Sequence, residues 1–357
     1  MSYAIAAAGT GGHVFPGLAV GEALVERGVD RGRVLFIGGD RLEARVYPEA
    51  GFPFFATEVR GLERRATAKN LTLPAMVIKA TDAIGEELRA RETGVVLCMG
   101  GYVSVPAARA ARRQRCALFV SEQNAEAGLA SRYAARNATK VFGSFPSTGR
   151  LPSAEWVGNP IRSELAEFSR PQLREAALAG YGLATGTPVL GVFGGSLGSR
   201  AINLAVFQMV SSWEGPRMQV LHLVGERNLE HVPALDSRVP WKVVGFEPDM
   251  ARFYAACDLV VARAGGAVAE LTATATPSIL VPGEFGSGKH QSANAAALRA
   301  AGAAEVIHEN QLRALPGTIA RLLSDEAGLE GMSAAARSLG KPAAADTIAE
   351  FMAAAHG

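Results

Sequence analysis

The chain reads as an α/β protein built from two Rossmann-like domains that face a central cleft, and three observations predict it. Short apolar runs alternate with longer helical patterns along the whole length, which is the rhythm of βαβ units and parallel sheets. A strand that breaks into glycines and then into a helix occurs twice, at Gly9 to Gly12 and at Gly194 to Gly198. Between the halves, Trp156-Val-Gly-Asn-Pro-Ile-Arg162 punctuates the chain with Gly158 and Pro160 before a polar helical stretch. At 357 residues the chain exceeds one ordinary compact core, so two domains are expected, over 1–160 and 161–340.

The elements follow in order. The opening run from Ile5 is an apolar strand that gives way to Gly9-Thr-Gly-Gly-His13, and Leu18, Ala19, Ala23 and Leu24 then carry a helical pattern. Apolar strand runs recur at 33–38, 94–98, 117–120 and 140–142 in the first half, and at 189–193, 219–224, 241–244, 259–261 and 278–281 in the second. A last helix over 343–354 follows Gly340 and Pro342 and has no strand after it, so it is free to cross back onto the first domain. Open α/β sheets bind ligands at the carboxyl ends of their strands, so the cleft between the halves is the expected site.

Composition narrows the function. The formal net charge of +2 leaves no whole-molecule field for nucleic acid. The cluster Arg109, Arg112, Arg113 and Arg115 reads as cations answering the dipole at a helix end. Cys98, Cys116 and Cys257 form neither a metal spacing nor an even framework, which fits a reducing, cytosolic compartment. The N-terminal apolar run is short and lacks a charged start, and no apolar stretch reaches membrane-spanning length, so any membrane contact is expected to be peripheral.

The glycine turns carry the first chemical signal. Gly9, Gly11 and Gly12 let the backbone approach a bulky group, and the helix head that follows suits an anion, with Thr10 and His13 adding polar chemistry; a plain tight turn reads equally well. Gly194-Gly-Ser-Leu-Gly198 follows a strand directly and opens a helix, so a phosphate cradle is favoured there, with Ser196 adding a hydroxyl. Neither run has the dinucleotide spacing. Gly283-Glu-Phe-Gly-Ser-Gly-Lys289 nearly spells a P-loop, but His290 stands where a magnesium-binding Ser or Thr belongs, and a glycine loop before a helix is favoured.

Polar groups gather after other strands. Gln291 and Asn294, three apart, share a helix face and could bond a polyhydroxylated ligand. Glu270 lies in a small, apolar helix and either grips paired hydroxyls, as on a ribose, or faces solvent. Met99-Gly-Gly-Tyr-Val-Ser104 and Ser121-Glu-Gln-Asn124 bring Tyr102, Ser104, Glu122, Gln123 and Asn124 to the rim of the opening turn. No Asp-x-Asp pair and no His/Cys/carboxylate cluster has metal spacing, so a mechanism without metal or cofactor is expected.

In order along the chain, Gly9-Thr-Gly-Gly-His-Val-Phe-Pro-Gly-Leu-Ala-Val20, Met99-Gly-Gly-Tyr-Val-Ser104, Glu122-Gln-Asn124, Gly158-Asn-Pro-Ile-Arg162, Gly194-Gly-Ser196, and Gln291 with Asn294 resemble the MurG family. These are GT-B glycosyltransferases that add N-acetylglucosamine to undecaprenyl-pyrophosphoryl-N-acetylmuramyl-pentapeptide in peptidoglycan synthesis. The resemblance implies that the C-terminal half binds UDP-N-acetylglucosamine and the N-terminal half the lipid-linked acceptor. It assigns Gly194, Gly195 and Ser196 to the diphosphate, Glu270 to the ribose and the backbone near Phe246 and Glu247 to the uracil. Gln291 and Asn294 would hold the sugar hydroxyls, and Met250, Arg263, Gly265 and Gly266 would line the donor pocket. Thr10, Gly11, Gly12, Tyr102, Asn124 and Arg162 fall on the acceptor side. Ser121 stands where the family usually has His, the 263–270 loop is one residue shorter than usual, and 283–289 diverges.

The expected reaction is an inverting displacement in which the acceptor 4-hydroxyl attacks the anomeric carbon as UDP leaves. His13 is the expected base, since an imidazole with an ordinary pKa of about 6.5 is largely neutral at cytosolic pH. Because the acceptor has a lipid tail, the protein is expected at the cytoplasmic face of the cell membrane. Leu73, Met76, Val77, Ala80 and Ile84 form one helical stripe, with Arg64, Arg65, Lys69 and Lys79 nearby, and a membrane face competes there with a core-facing helix, which is slightly favoured. A UDP-sugar epimerase and a non-catalytic sugar-nucleotide-binding module are the alternative functions.

Overall fold

A computed structural model describes residues 2–59, 72–151, 153–195, 197–283 and 288–355. The chain divides into two compact units, one of Met1–Arg162 with Lys341–Gly357 and one of Ser163–Gly340. The chain thus leaves the first unit at Arg162, two residues beyond the position read from Pro160, and returns to it at Lys341.

Unit 1 holds a seven-stranded sheet of β1 (Ser2–Ala6), β2 (Val34–Gly38), β3 (Phe54–Ala56), β4 (Thr93–Cys98), β5 (Ala117–Glu122), β6 (Lys140–Gly143) and β7 (Glu155–Trp156). All pairs are parallel, in the order β3-β2-β1-β4-β5-β6-β7. The crossovers contain α1 (Gly11–Glu26), α2 (Glu43–Glu49), α3 (Leu73–Ala90), α4 (Ser104–Arg113) and α5 (Leu129–Ala135). The central strands are buried on both faces, as a parallel sheet under helices requires. Tyr3, Ile5, Phe36, Tyr47 and Phe142 form one core layer, and Ala4, Leu35, Ile37, Ile84 and Val96 form the other.

The first helix begins earlier than its apolar pattern shows. It starts at Gly11 and contains Pro16, whereas the pattern is legible only from Leu18. Gly21 then lets α1 close onto the sheet, for a Cβ there would come within 2.6 Å of the Phe36 ring. The C-terminal helix, Ala344–Ala354, packs against α1. It buries Ile348 and Met352 in the first core layer, and Arg27 holds Asp346 through two 2.8 Å hydrogen bonds.

The apolar stripe of α3 turns inward over its later part. Ala80 and Ile84 are buried with Leu88, and α3 packs on α4, which is the core-facing alternative for those two positions. Leu73, Met76 and Val77 are half-buried, Ile78 is exposed, and Lys79 pairs with Glu58 at 2.9 Å. Arg64, Arg65 and Lys69 lie outside the described residues.

Unit 2 repeats the plan with β8 (Val189–Phe193), β9 (Gln219–Leu223), β10 (Trp241–Val244), β11 (Leu259–Ala262), β12 (Ser278–Leu280) and β13 (Ala304–Val306). Their order is β10-β9-β8-β11-β12-β13, again all parallel. The helices are α6 (Ser163–Ala166), α7 (Arg170–Tyr181), α8 (Arg200–Ser212), α9 (Met250–Ala256), α10 (Ala267–Ala273), α11 (Gly288–Ala300), α12 (Leu315–Leu323) and α13 (Glu326–Leu339). Arg170 and Arg174 of α7 both bond Asp258, which precedes β11 and accepts the Val189 amide at 2.8 Å.

His222 sits wholly buried on β9, with Nε2 3.1 Å from Asn203 Oδ1, and burial pushes its pKa down to about 3. Unfolded, the same imidazole titrates near 6.5, so between these values the unfolded chain binds the extra proton and stability falls as pH falls. Denaturant unfolding at pH 5 should therefore show about 2 kcal/mol less stability from this group than at pH 7. In His222→Gln that component should vanish.

Candidate active site

In each sheet the strand order reverses direction beside its first strand, between β1 and β4 in unit 1 and between β8 and β11 in unit 2. Loops that leave neighbouring strands on opposite sides of such a switch point open a crevice, and ligands bind there.

In unit 1 the crevice loops are Gly9 to Gly12 after β1 and Met99 to Tyr102 after β4. Thr10 stands at the N-cap position of α1, so the Gly11 and Gly12 amides lie in its first turn, before intrahelical bonding begins. His13 follows on the same turn, half-buried, with Nδ1 3.2 Å from Thr10 Oγ1. Gly100 and Gly101 both adopt left-handed φ, +81° and +73°. A Cβ on Gly100 would stand 3.1 Å from His13 Cδ2 and 3.3 Å from Gln123 Oε1, so the imidazole rests against this turn. Tyr102 leaves the turn half-buried, and its hydroxyl donates to Glu43 at 3.1 Å. Burial, with the Glu43 charge adding to it, raises the pKa of that hydroxyl, which stays protonated as a donor.

The loop after β5 is organised by Glu122, which is buried. Its carboxylate accepts from the Asn124 amide at 3.0 Å, from Asn124 Nδ2 at 2.8 Å and from the Gly128 amide at 3.1 Å. Asn124 is thereby held half-buried at the end of the strand. Ser121, at the end of β5, is only 1% exposed. Arg162 closes the unit, half-buried.

In unit 2 the turn after β8 leads into α8, whose cap is Ser199. Gly195 has φ +90° and open space where a Cβ would stand, and Gly198 fits tightly against the Val224 carbonyl. Ser196 lies outside the described residues. Arg263, at the end of β11, donates to Ser199 Oγ at 2.7 Å and to the Val281 carbonyl at 3.1 Å, and forms an ion pair with Glu309. One guanidinium therefore joins the glycine turn, the end of β12 and the segment after β13. Gly265 and Gly266 follow it, half-buried and exposed.

The remaining positions group around these loops. Gln291 Oε1 accepts the Gly283 amide at 2.8 Å, and Asn294 Nδ2 donates to the Ala264 carbonyl at 3.0 Å. Both amides of α11 thus hold backbone of their own unit. Asn294 is only 1% exposed, and its side-chain amide holds the start of the 264–266 loop. Glu270, on α10, accepts from Tyr254 at 2.9 Å and is half-buried. After β10, Phe246 is 54% exposed while Glu247 is buried. Burial would raise the Glu247 pKa, but hydrogen bonds from Tyr181, Arg252 and the Asp249 amide outweigh it and hold the carboxyl below its ordinary range. The ionised Glu247 fixes the loop that presents Phe246 and leads to Met250, the first residue of α9.

Three residues of this framework have no signal in the motifs, namely Glu43, Tyr181 and Glu309. Their partners are distant in sequence, and a carboxylate in a helix or loop announces nothing until the fold closes. Among the described residues no group of three or more His, Cys, Asp or Glu side chains is placed to hold a metal ion. No described helix is long and apolar enough to cross a membrane.

Comparisons with known proteins bear on this geometry. The glycosyltransferase family 28 N-terminal domain model matches residues 3–143, and the family 28 C-terminal domain model matches 189–348. A relative from Halorhodospira halophila, named UDP-N-acetylglucosamine--N-acetylmuramyl-(pentapeptide) pyrophosphoryl-undecaprenol N-acetylglucosamine transferase, is 43% identical over 353 residues, covering 97% of this chain and 96% of the relative. One of the same name from Anaeromyxobacter dehalogenans is 39% identical, covering 98% and 92%. The crystal structure of Acinetobacter baumannii MurG is similar with a TM-score of 0.78 at 25% identity, covering 99% of this chain and all of that one. With the two Rossmann-like sheets, these matches give the GT-B fold. The UDP-GlcNAc 2-epimerase of Neisseria meningitidis shares the fold alone, with a TM-score of 0.67 at 12% identity.

Proposed function

The chain belongs to the MurG family within glycosyltransferase family 28, and on that premise we propose that it transfers N-acetylglucosamine, with inversion, from UDP-N-acetylglucosamine to the 4-hydroxyl of undecaprenyl-pyrophosphoryl-N-acetylmuramyl-pentapeptide. The product is lipid II, made from lipid I in peptidoglycan synthesis. The observation that carries this reading is the near full-length match, at 43% identity, to a transferase of that name. The paired glycine turns, one at the switch point of each sheet, suit a reaction with a diphosphate on both substrates.

Unit 2 is the donor side in this reading. The head of α8, with Gly194, Gly195 and Ser196, takes the UDP diphosphate and stabilises the charge that develops as UDP leaves. Glu270 accepts from the ribose hydroxyls, the Phe246 and Glu247 backbone meets the uracil, and Gln291 with Asn294 shapes the sugar end. Met250, Arg263, Gly265 and Gly266 frame the pocket. In this scheme the two amides act on the sugar by holding the 264–266 loop and the Gly283 turn.

Unit 1 is the acceptor side. The head of α1, with Thr10, Gly11 and Gly12, meets the acceptor pyrophosphate, and Tyr102, Asn124 and Arg162 contact the muramyl portion. His13 takes the proton from the 4-hydroxyl as oxygen attacks the anomeric carbon and the bond to UDP breaks. A hydrogen bond in which Nδ1–H donates to Thr10 Oγ1 leaves Nε2 as the basic nitrogen. A lipid-linked acceptor requires peripheral contact with the cytoplasmic membrane face, and the half-buried Leu73, Met76 and Val77 with the exposed Ile78, in the first half of α3, are the surface offered for it.

Radiolabelled UDP-N-acetylglucosamine offered with and without the lipid-linked muramyl acceptor tests the proposal. Label should enter the lipid fraction only when acceptor is present. Label recovered in a new UDP-sugar without acceptor would establish an epimerase instead, and tight donor binding with no transfer would establish a binding module.

A further inference from the structure

Glu43 opens α2 and is fully buried. Its carboxylate receives three neutral donors from three separate loops. Oε1 accepts the Gly39 amide at 3.0 Å and the Tyr102 hydroxyl at 3.1 Å, and Oε2 accepts the Gly9 amide at 3.3 Å. These loops follow β2, β4 and β1, the three strands that meet at the switch point of the sheet. Burying a carboxylate is costly unless its oxygens are fully hydrogen-bonded, so a single carboxylate at this junction locks the relative placement of all three loops. Gly39 shows how close the packing is, since a Cβ there would stand 3.1 Å from Glu43 Oε1 and overlap the Tyr102 hydroxyl.

We propose that Glu43 is a positioning residue for the transfer reaction, setting the Gly9 to His13 turn and Tyr102 in register with each other and through them aligning the acceptor hydroxyl. The proposal rests on the reading of unit 1 as the acceptor side. Glu43 touches no reacting atom. Its oxygens point at the first amide of the turn that carries His13 and at the hydroxyl of Tyr102, whose ring lies 3.6 Å from where a Gly9 Cβ would stand. A carboxamide at position 43 keeps the volume but brings an NH₂ group against at least one of three donors, so at least one loop must shift.

Steady-state kinetics of Glu43→Gln, with UDP-N-acetylglucosamine and the lipid-linked acceptor varied separately, tests this. Misplacement by about 1 Å costs about 100-fold in rate, so kcat should fall by that order and acceptor KM should rise, with donor KM unchanged. Tyr102→Phe should lower kcat on its own yet add little to Glu43→Gln, because residues in one network are not additive. Wild-type kcat and acceptor KM in Glu43→Gln would overturn the proposal, as would equal losses on both substrates accompanied by a lowered melting temperature. A raised donor KM with acceptor KM untouched would overturn the acceptor assignment of unit 1 and leave the positioning role standing. Should Glu43→Gln not fold, Tyr102→Phe removes one of the three donors and leaves the carboxylate in place. An unchanged acceptor KM and kcat in that variant would then overturn the proposal.

Discussion

His13→Ala should lower turnover by about 10²- to 10⁴-fold, the range that a positioned general base contributes. The affinity for UDP-N-acetylglucosamine should stay unchanged, because His13 belongs to unit 1 and the proposed donor contacts belong to unit 2. Single-turnover transfer and donor binding, measured on the same preparation, separate the two quantities. The imidazole rests against the left-handed Gly100 turn, so Gly100→Ala should reproduce part of the loss without removing the base.

Arg263→Ala should weaken both donor binding and the fold of unit 2. Its guanidinium bonds Ser199, the Val281 carbonyl and Glu309, and the side chains of the ion pair are 18% and 16% exposed. Removing the cation leaves Glu309 largely buried without its partner, a change that costs about 3–5 kcal/mol. Donor affinity should fall along with it, since the Ser199 cap and the end of β12 lose their common anchor. The double variant Arg263→Leu/Glu309→Leu separates the effects. It should regain most of the stability, since the orphaned carboxylate is gone, while donor affinity stays low. Denaturant unfolding beside isothermal titration with UDP-N-acetylglucosamine measures both. Arg263→Lys should not restore affinity, because a single ammonium cannot reproduce a planar fork bonded in three directions.

The architecture is legible because its signals are local. Strand, glycine turn and helix lie within about fifteen residues at Gly9 and again at Gly194, and the alternation of apolar runs marks the parallel strands of both sheets except β3, β7 and β13, which are only two or three residues long and lack such a run. The start of α1 is less legible, because Gly11, Gly12 and Pro16 disguise a first turn that the backbone nonetheless makes. The α3 stripe shows the limit of periodicity. Leu73 and Ile84 share one helical face by spacing, yet only the later part of the helix is buried. The supports of the site are the least legible. Glu43 meets Tyr102 across 59 residues and Arg263 meets Glu309 across 46, and neither pair has any pattern at short range. Asn294 is legible as a polar residue on the Gln291 face, while its use on the Ala264 carbonyl depends on where the preceding strand ends.

The helix Ala344–Ala354 has a consequence for how the protein is made. It supplies Ile348, Ala349 and Met352 to a core whose other buried members were synthesised before any of unit 2. On the ribosome, the apolar surface beside α1 therefore waits uncovered while all of Ser163–Gly340 is polymerised, tens of seconds at the slower end of about 5–20 residues per second. The nested unit, continuous in sequence, is able to finish first. A released chain truncated before residue 344 should accordingly contain a folded second unit and a first unit that still binds chaperone, and extending the chain through Ala354 should end that binding.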